Sequence, residues 1–285
     1  MQQRRVLALY GHPDDEGQVT GTLARFIAEG DRVALVCATR GEVGEISDAA
    51  LATPETLGYV RELELRAAMA QIGLRDVRLL PYRDSGMAGT PENEDPRSLH
   101  QQPAEAVVAE LVAIMRDLRP HFVFTWDSTG GYGHPDHVAI HTHTVAAFDA
   151  AGNPEAYPDA GPACAPERLY WGARTMKGFA SIWTEMERRG LLDEPIPDER
   201  RERFEKAMAE PDPPVSVIVD VSGQVEGKRG ASSMHRSQFG ENSMFTRIPD
   251  DLRGQFFGEE RFYQARPAWP EGLAPAKDFP PISQP

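Results

Sequence analysis

A transition from a strand to a polar turn is encoded at residues 6–16, whose sequence is VLALYGHPDDE. Its apolar half, Val6–Tyr10, predicts a buried strand, because a short apolar run bounded by turn residues is typical of one. Arg4 and Arg5 precede this run, as in a signal peptide, but the run is too short for such a segment and no small-residue cleavage site follows it. We therefore expect a first strand that places a cluster of polar side chains at its carboxyl end.

The same alternation of apolar runs and amphipathic segments continues through the first half of the chain. Further strands are predicted at Val33–Thr39, Val77–Pro81 and Phe122–Trp126, and helices at Thr22–Glu29, Thr56–Ile72 and Ala104–Leu118. Strands that alternate with helices of this length form βαβ units, in which helices cover both faces of a parallel sheet. The sequence therefore predicts an α/β fold, Rossmann-like and three-layered, with a mostly parallel sheet and an elaborated C-terminal part.

The second half of the chain is less regular. Val215–Val221 resembles one more strand of the same sheet, and a helix is predicted over Gln224–Ser237. For that reason we predict a single domain over residues 1–285 rather than two independent ones. Its parts are a core over 4–150 and 215–240, a loop over Ala151–Pro166, an exposed charged helical insertion over 184–210 and a proline-rich extended tail over 265–285.

The charge balance disfavours several classes of partner. The chain has 285 residues, with 30 Lys plus Arg against 44 Asp plus Glu and a net charge of −14. Binding to nucleic acid and stable association with an anionic membrane both need clustered basic residues, so neither is expected.

No apolar run is long enough for a membrane helix, and the two cysteines, Cys37 and Cys164, cannot form a disulfide framework. We expect a soluble, cytoplasmic protein.

Histidines and carboxylates are concentrated at two of the predicted strand ends. The sequence GHPDDE at 11–16 follows the first strand, and GGYGHPDH at 130–137 follows the fourth. Because ligands bind at the carboxyl ends of parallel strands, both segments are expected on one rim of the sheet. Imidazole and carboxylate together suit Zn²⁺ or Fe²⁺, and two histidines with one carboxylate leave positions open for water and substrate. The structural alternative is that these histidines lie on the surface and these aspartates cap helices.

These two segments resemble the motifs of a known family. His12-Pro13-Asp14-Asp15-Glu16 with the later His134-Pro135-Asp136-His137 is similar to the motif pair of the zinc-dependent LmbE-like, or PIG-L-like, N-deacetylases. That family acts on N-acetylglucosaminyl-phosphatidylinositol, on mycothiol and bacillithiol precursors and on chitobiose-like sugars. Further similarities are the segment Thr39–Glu45, the Arg-x-x-Glu pattern of Arg61 and Glu64, the mycothiol-type substrate loop Arg83–Met87, and the late residues Lys228, Ala231, His235, Ser237 and Gln238.

The resemblance implies a role for each motif residue. It implies His12, Asp15 and His137 as metal ligands, with Zn²⁺ as the cofactor and Fe²⁺ as the alternative. It implies Asp14 as the general base, and His134 as the group that stabilises the oxyanion or protonates the leaving amine. These roles agree with elementary chemistry, because a metal lowers the pKa of a bound water toward about 7 and an adjacent carboxylate can take its proton.

Further residues are candidates for contact with the substrate. Tyr132 lies in a glycine-flanked turn and is either an additional oxyanion donor or a loop aromatic that packs on the surface. The resemblance implies Arg61 and Asp84 as substrate contacts, because a guanidinium fork and a carboxylate match sugar hydroxyls, and Glu45 as a weaker candidate. Arg61 and Glu64 could instead form a pair on the helix surface.

Two other histidines are expected to take no direct part in catalysis. His141 is one helical turn beyond His137 and is expected in the outer shell of the site, whereas His121 is expected to be structural. Asp136, between the two motif histidines, is a candidate acceptor that orients one of them.

The expected activity is metal-dependent removal of acetate from an N-acetylglucosamine-type group of a small soluble molecule, with Asp14 as general base. One alternative is an amidase that cleaves a larger amide, such as a thiol-glycoside S-conjugate. A phosphoesterase is disfavoured because such sites commonly use two metals and more carboxylates. A non-catalytic sugar-binding relative is disfavoured because binding alone has no need of Asp14. The expected partner is thus a small N-acetylated sugar conjugate, and the oligomeric state is not predicted.

Overall fold

One seven-stranded sheet forms the centre of the protein. The computed structural model describes residues 2–173, 176–209, 211–240 and 247–283, and within them the strand order is β3-β2-β1-β4-β5-β7-β6. The strands are β1 Arg5–Tyr10, β2 Arg32–Cys37, β3 Asp76–Leu79, β4 Phe122–Thr125, β5 Arg168–Gly172, β6 Val217–Asp220 and β7 Glu259–Arg266.

The first five strands are parallel, and β7 runs against its two neighbours. β1 is central: it pairs with β2, from Arg5 opposite Arg32 to Tyr10 opposite Cys37, and with β4 on its other side. β7 is antiparallel to both β5 and β6. Val6–Tyr10 is buried because both faces of the sheet are covered. The predicted α/β class with a mostly parallel sheet is confirmed.

Helices cover both faces of the sheet. Within the described residues the α-helices are α1 Thr20–Ala28, α2 Leu57–Gln71, α3 Ala104–Leu118, α4 Gly130–Gly133, α5 Pro135–Ala151, α6 Met176–Arg188, α7 Asp198–Ala209, α8 Val225–Ser232, α9 Arg236–Phe239 and α10 Asp250–Phe257. α3 packs against α5, and α8 packs against α1 and α2. α3 buries Val107, Leu111 and Met115, which are spaced by one helical turn and so share a face. None of the helices in the described ranges is long and apolar enough to cross a membrane.

Most predicted elements are present, with shifted ends. α3 has the predicted bounds, and the predicted strand at Val215–Val221 is β6. The predicted helix over Gln224–Ser237 is two helices, α8 and α9, because the backbone of His235 leaves the helical region with φ −78° and ψ 56°. β5 and β7 were not predicted. β7 was missed because its sequence EERFYQAR mixes charged and aromatic residues, which alternate between exposed and buried positions only once the strand has formed.

The segment 184–210 was predicted as an exposed charged helical insertion; most of its described residues are exposed, but Met186, Ile196 and Phe204 are buried. Its helical region begins earlier, at Met176, and is divided into α6 and α7. Ile182 and Met186, one helical turn apart, are buried in a small apolar cluster, and Phe204 is buried in a second one. The apolar residues are few, but their helical spacing collects them on one face. Glu210 lies outside the described residues.

The tail after Ala265 is also packed more closely than expected. Phe279 is 8% exposed, and its ring centroid lies 5.3 Å from that of Phe26 and 5.8 Å from that of Phe122. Ala276 pairs with Val217 beside the sheet. Although the segment is extended, as predicted, it therefore contributes an aromatic ring to the core. Residues 284–285 lie outside the described residues.

Candidate functional site

The two motif segments meet at the carboxyl edge of the central strands. Residues 11–16 follow β1, and residues 130–137 follow β4, its parallel neighbour. Nδ1 of His12 lies 3.0 Å from Nε2 of His137 and 3.6 Å from Oδ2 of Asp15. Nε2 of His137 lies 3.2 Å from Oδ1 of Asp15. The three residues predicted as metal ligands are therefore brought together, and all three are buried.

The outer hydrogen bonds of the two histidines direct their free nitrogens toward each other. Nε2 of His12 lies 3.0 Å from Oδ2 of Asp136, so Asp136 orients a motif histidine as expected. Nδ1 of His137 lies 3.0 Å from the carbonyl oxygen of Gly130. Because a carboxylate and a carbonyl only accept, the outer nitrogens hold the protons, and when the rings are neutral the facing nitrogens hold lone pairs. Two lone pairs 3.0 Å apart repel unless a proton or a metal cation lies between them.

The spacing of the possible ligand atoms suits a divalent cation. Zn²⁺ binds histidine nitrogen and carboxylate oxygen at about 2.0–2.2 Å, so tetrahedral ligand atoms lie about 3.3–3.6 Å from one another. The two histidine nitrogens are 3.0 Å apart, and each lies near a different oxygen of Asp15: His137 is 3.2 Å from Oδ1 and His12 is 3.6 Å from Oδ2. Two histidines and one carboxylate also leave a fourth position open, as in catalytic sites. The residues present therefore fit a metal ion with room for water or substrate.

Asp15 is held in place by its neighbours. Its Oδ2 accepts the backbone N–H of His12 at 2.8 Å and the indole N–H of Trp126 at 3.3 Å. Although burial disfavours the charged form, His137 and His12 hold the pKa of Asp15 well below its ordinary value. Trp126 also stacks on the His137 ring, with centroids 4.1 Å apart. Trp126 was not among the predicted site residues, although its place directly after β4 is the signal that marks a rim residue.

A second group of possible ligands lies on the other side of the His12 ring. It consists of His12, Asp84, His134 and Asp136, whose ligand atoms all lie within 4.8 Å of one another. Asp136 already accepts the backbone N–H of Ser85 at 2.9 Å and the hydroxyl of Ser85, in addition to His12. Both oxygens of Asp136 are therefore already occupied by donors.

Asp14 stands beside the ligands with an unusual backbone. Its φ of 100° lies in a region that residues other than glycine rarely adopt. Burial raises the pKa of its carboxyl to about 6, against the opposing charge of Arg61. Neighbouring carboxyls, Asp14 and Asp15, thus have pKa values shifted in opposite directions. Two neighbouring carboxyl groups with such different pKa values are typical of sites where one carboxyl transfers protons and the other stays ionised.

His134 caps α5 with its ring. Nδ1 accepts the backbone N–H of Asp136 at 3.2 Å, so Nε2 carries the proton of the neutral ring. Burial and the neighbouring His12 lower the pKa of His134 to about 4. The ring is therefore neutral at pH 7 and presents an N–H donor beside His12, with ring centroids 4.5 Å apart. This arrangement can stabilise a developing oxyanion.

Tyr132 lies on a glycine-rich turn at the edge of the site. Its side chain is 66% exposed, and its ring centroid lies 5.1 Å from that of His137. Gly131 has a φ of 72°, and a Cβ at this position would lie 2.6 Å from the Trp126 ring, so the turn requires glycine. The turn therefore holds an exposed aromatic hydroxyl next to the histidines without filling the site.

Arg61 and Glu64 do not form the surface pair considered from the sequence. Arg61 is 3% exposed, and its guanidinium donates to the carbonyl oxygens of Gly41 at 2.9 Å and Pro13 at 2.6 Å. Glu64 instead accepts the backbone N–H and the hydroxyl of Ser237, at 2.8 and 2.6 Å. Arg61 thus joins two rim loops, and Glu64 anchors a late segment of the chain.

The two acidic residues predicted to contact substrate differ in burial. Asp84 is 3% exposed, accepts the backbone N–H of Gly86 at 2.9 Å, and lies 3.6 Å from Nε2 of His12. Glu45 is exposed, and its backbone carbonyl accepts from the side chain of Gln238 at 3.1 Å. The structure therefore brings Asp84 to the site and leaves the Glu45 side chain on the outer surface of its loop.

A cavity of about 370 Å³ opens beside Asp14. Lys228 and His235, singled out in the late segment, both line it. Nζ of Lys228 lies 2.6 Å from Glu260, and Nε2 of His235 lies 2.6 Å from Glu16. These buried pairs account for two residues whose role the sequence left open.

Two further histidines make contacts outside the ligand group. Nδ1 of His141 lies 2.7 Å from the carbonyl oxygen of Trp126, behind the site. His121 accepts the backbone N–H of Arg5 at 2.9 Å, at the opposite end of β1. Neither ring belongs to the ligand group.

Known proteins are similar to this chain in sequence. A sequence model of the family described as PIG-L: GlcNAc-PI de-N-acetylase matches residues 7–148. A protein of Rhodococcus jostii strain RHA1 is 36% identical over 285 residues, with 94% of this chain and 94% of that protein covered. That relative is named 1D-myo-inositol 2-acetamido-2-deoxy-alpha-D-glucopyranoside deacetylase.

Solved structures share the fold. N,N'-diacetylchitobiose deacetylase from Pyrococcus horikoshii has a TM-score of 0.62 and 21% identity, over 92% of this chain and 84% of that chain. A 4-carboxy-2-hydroxymuconate hydratase from Pseudomonas putida KT2440 has a TM-score of 0.63 and 17% identity, over 95% of this chain and 100% of that chain. At these identities the likeness concerns the fold alone. The family match and the similarity along nearly the whole Rhodococcus protein show that the chain belongs to the PIG-L (LmbE-like) deacetylase family.

Proposed function

We propose that this protein hydrolyses the acetamide of an N-acetylglucosamine-type group on a small soluble molecule and releases acetate and a free amine. One observation carries the proposal: the side chains of His12, Asp15 and His137 lie within 3.6 Å of one another in an arrangement that suits a cation, and Asp14 precedes Asp15 in the sequence. Relatives named as deacetylases of an inositol-linked 2-acetamido sugar support the same reaction. An inositol-linked or similar glycoside is therefore the proposed substrate class.

Zn²⁺ is the proposed metal, with Fe²⁺ as the alternative, because both accept imidazole nitrogen and carboxylate oxygen. His12, Asp15 and His137 would hold it. When bound, such a cation polarises the acetyl carbonyl and lowers the pKa of water toward about 7.

Asp14 is proposed to move the proton. Its carboxylate accepts a proton from the attacking water as the new C–O bond forms, and returns it to the amine nitrogen as the C–N bond breaks. The guanidinium of Arg61, 3.5 Å from Oδ2 of Asp14, favours one orientation of this carboxylate.

The developing oxyanion is proposed to be stabilised by His134. Its Nε2–H is the available donor, since Nδ1 is occupied by the backbone N–H of Asp136. The Tyr132 hydroxyl is proposed as a second donor, which the exposed glycine-rich turn allows to approach the substrate. Protonation of the amine by His134, the other role implied by the family, would need a charged ring, which burial disfavours.

Substrate contacts are proposed for Arg61, Asp84 and Glu45. Arg61 retains an Nε–H that has no hydrogen-bond partner among the described residues, but this atom is buried, so donation to a sugar hydroxyl would require the loops that Arg61 joins to move. Asp84, at the inner edge of the site, can accept from a second hydroxyl. Glu45 is the weakest of the three, because it is exposed and would reach only an outer part of the substrate.

A larger amide is the second candidate substrate. The cavity of about 370 Å³ beside Asp14 offers room for an acyl group larger than acetyl. This favours testing thiol-glycoside S-conjugates beside simple acetamides.

The proposed setting is the cytoplasm, without nucleic acid or a stable membrane partner. A net charge of −14 disfavours both polyanionic surfaces. Cys37 and Cys164 are buried free thiols, which suit a reducing compartment.

Metal-loaded protein incubated with a panel of N-acetylglucosamine conjugates tests the proposal. The expected result is release of free amine and acetate in equal amounts, with preference for an inositol-linked or similar glycoside. Release of amine only from conjugates with larger acyl groups would favour the amidase. No amine from any amide in the panel would contradict hydrolysis of C–N bonds by this site.

A further inference from the structure

The peptide group between Pro13 and Asp14 is held at both of its polar atoms. Its carbonyl oxygen accepts from Nη2 of Arg61 at 2.6 Å, and its N–H donates to Oε2 of Glu16 at 2.8 Å. The Asp14 backbone that follows has a φ of 100°. A residue with a side chain stays in this region only when the surrounding structure holds it there. These two hydrogen bonds therefore determine where the Asp14 carboxyl points.

Glu16 is in turn held by His235, which lies late in the chain. Its Oε1 lies 2.6 Å from Nε2 of His235, which is 219 positions later in the sequence. The side chains are 2% and 1% exposed. Although burial opposes protonation, the Glu16 carboxylate raises the pKa of His235, which strengthens this bond with charge. Each oxygen of Glu16 thus has its own donor, one from the Asp14 backbone and one from His235.

The segment that carries His235 is fixed to α2, the helix that also carries Arg61. Glu64, one helical turn beyond Arg61, accepts both donors of Ser237. α2 therefore sets the position of the two groups that hold the Asp14 peptide: Arg61 directly, and Glu16 through the segment containing His235.

We propose that His235 is a positioning residue for Asp14, and that it acts by fixing the Glu16 carboxylate that holds the Asp14 backbone N–H. The inference rests on the proposed function, because it takes Asp14 as the residue that moves the proton. His235 itself needs no contact with substrate. Removing it frees Glu16 to rotate, and Asp14 can then relax to a negative φ and turn its carboxyl away from the attacking water.

The surroundings of His235 allow a chemical test. Its Nδ1 is buried and has no hydrogen-bond partner within the described ranges, and the ring lines the cavity of about 370 Å³. The cavity is large enough to admit free imidazole. In a His235→Ala variant, imidazole can therefore occupy the vacated place and donate to Glu16.

The experiment compares His235→Ala with His143→Ala, which removes another buried histidine, on α5. For His235→Ala we expect kcat to fall about 100-fold with KM nearly unchanged, since a displacement of about 1 Å in a catalytic group costs that much. Metal content should stay that of the wild type, and added imidazole should restore at least a tenth of the lost rate. For His143→Ala, kcat should stay unchanged and imidazole should have no effect. Wild-type kcat in His235→Ala, or a loss that imidazole does not relieve, would overturn the proposal.

A crystal structure of His235→Ala gives a readout that does not depend on turnover. We expect Asp14 to leave its positive φ and its hydrogen bond to Glu16 to break. If Asp14 keeps both, the proposal is wrong. Should the wild type hydrolyse no amide at all, the proposed function fails, and this structural comparison still decides whether His235 positions Asp14.

Discussion

Oδ2 of Asp136 lies 3.0 Å from Nε2 of His12, on the side of the ring opposite to His137. This contact, between residues 124 positions apart, sets which nitrogen of His12 carries its proton. Asp136 is itself fixed by the backbone and hydroxyl donors of Ser85. Asp136 and Ser85 are not among the proposed ligands, yet they determine that Nδ1 of His12 is the nitrogen left free for a cation.

Replacing Asp136→Asn should weaken metal binding by about 10–100-fold, because the carboxylate no longer holds His12 in the required tautomer. Competition with a chelator of known affinity measures the change. Asp149→Asn, at an exposed position near the other end of α5, is the matched control and should bind metal like the wild type. Equal affinity in the two variants would show that Asp136 does not tune the ligand.

Removing the metal should abolish amide hydrolysis and lower the Tm. The facing nitrogens of His12 and His137 lose the cation between them, and a ligand present at 100 times its Kd contributes about 2.7 kcal/mol to stability. Differential scanning fluorimetry before and after chelation, followed by addition of Zn²⁺ or Fe²⁺, measures both effects. Full turnover by metal-free protein would contradict the metal-dependent reaction.

Asp14→Asn should lower kcat by about 10²–10⁴-fold, the usual contribution of a positioned proton-transfer group. The amide has nearly the shape of the carboxyl group but cannot accept the proton. Metal content per chain should stay that of the wild type, because Asp15 remains. If the variant retains full turnover with metal bound, another residue is the base.

His134→Ala should lower kcat by about 10²–10³-fold, since one oxyanion donor is lost. His134→Gln can offer an amide N–H in its place and should retain more activity. Steady-state kinetics on both variants should show KM changing less than kcat. A KM effect alone would assign His134 to substrate binding.

Arg61→Lys should lower the free energy of unfolding by about 1–3 kcal/mol, because an ammonium cannot reach the carbonyls of both Gly41 and Pro13 and leaves one buried acceptor unsatisfied. Urea denaturation of the metal-free protein measures this. The control is Arg66→Lys on the same helix, where the side chain is 47% exposed. Its effect should stay within about 0.5 kcal/mol, as for other surface substitutions. Equal effects in both variants would refute a clamping role for Arg61.

The central sheet and the ligand group could be predicted from the sequence because both depend on local patterns. Val6–Tyr10 is apolar throughout since both of its faces are covered, and the residues that follow such a strand must lie at its carboxyl edge. This rule places the two motif segments on one rim, and the family resemblance implies His12, Asp15 and His137 among their residues as the ligands. α5 begins at Pro135, as the fixed φ of proline favours.

The supporting contacts could not be predicted in the same way, because they join distant segments. The bond between Glu16 and His235 spans 219 positions, and no local pattern pairs the two residues. The partners of Arg61 could not be predicted for the same reason. Its spacing from Glu64 suggested a surface pair, but α2 is partly buried and each of the two side chains bonds to a different distant segment. β7 was hidden by its charged residues: Glu259 and Arg261 are exposed, but Glu260 is buried, where it pairs with Lys228 from a distant segment.

The buried ring of Phe279 has a consequence for synthesis of the protein. Phe26 and Phe122 belong to the first half of the chain, and their aromatic cluster stays uncovered until residue 279 has left the ribosome. The nascent chain can therefore form its early strands and its ligand-bearing loops, but it completes its core only after residue 279 has been added. A ribosome-stalled chain truncated before Phe279 would expose apolar surface that chaperones recognise.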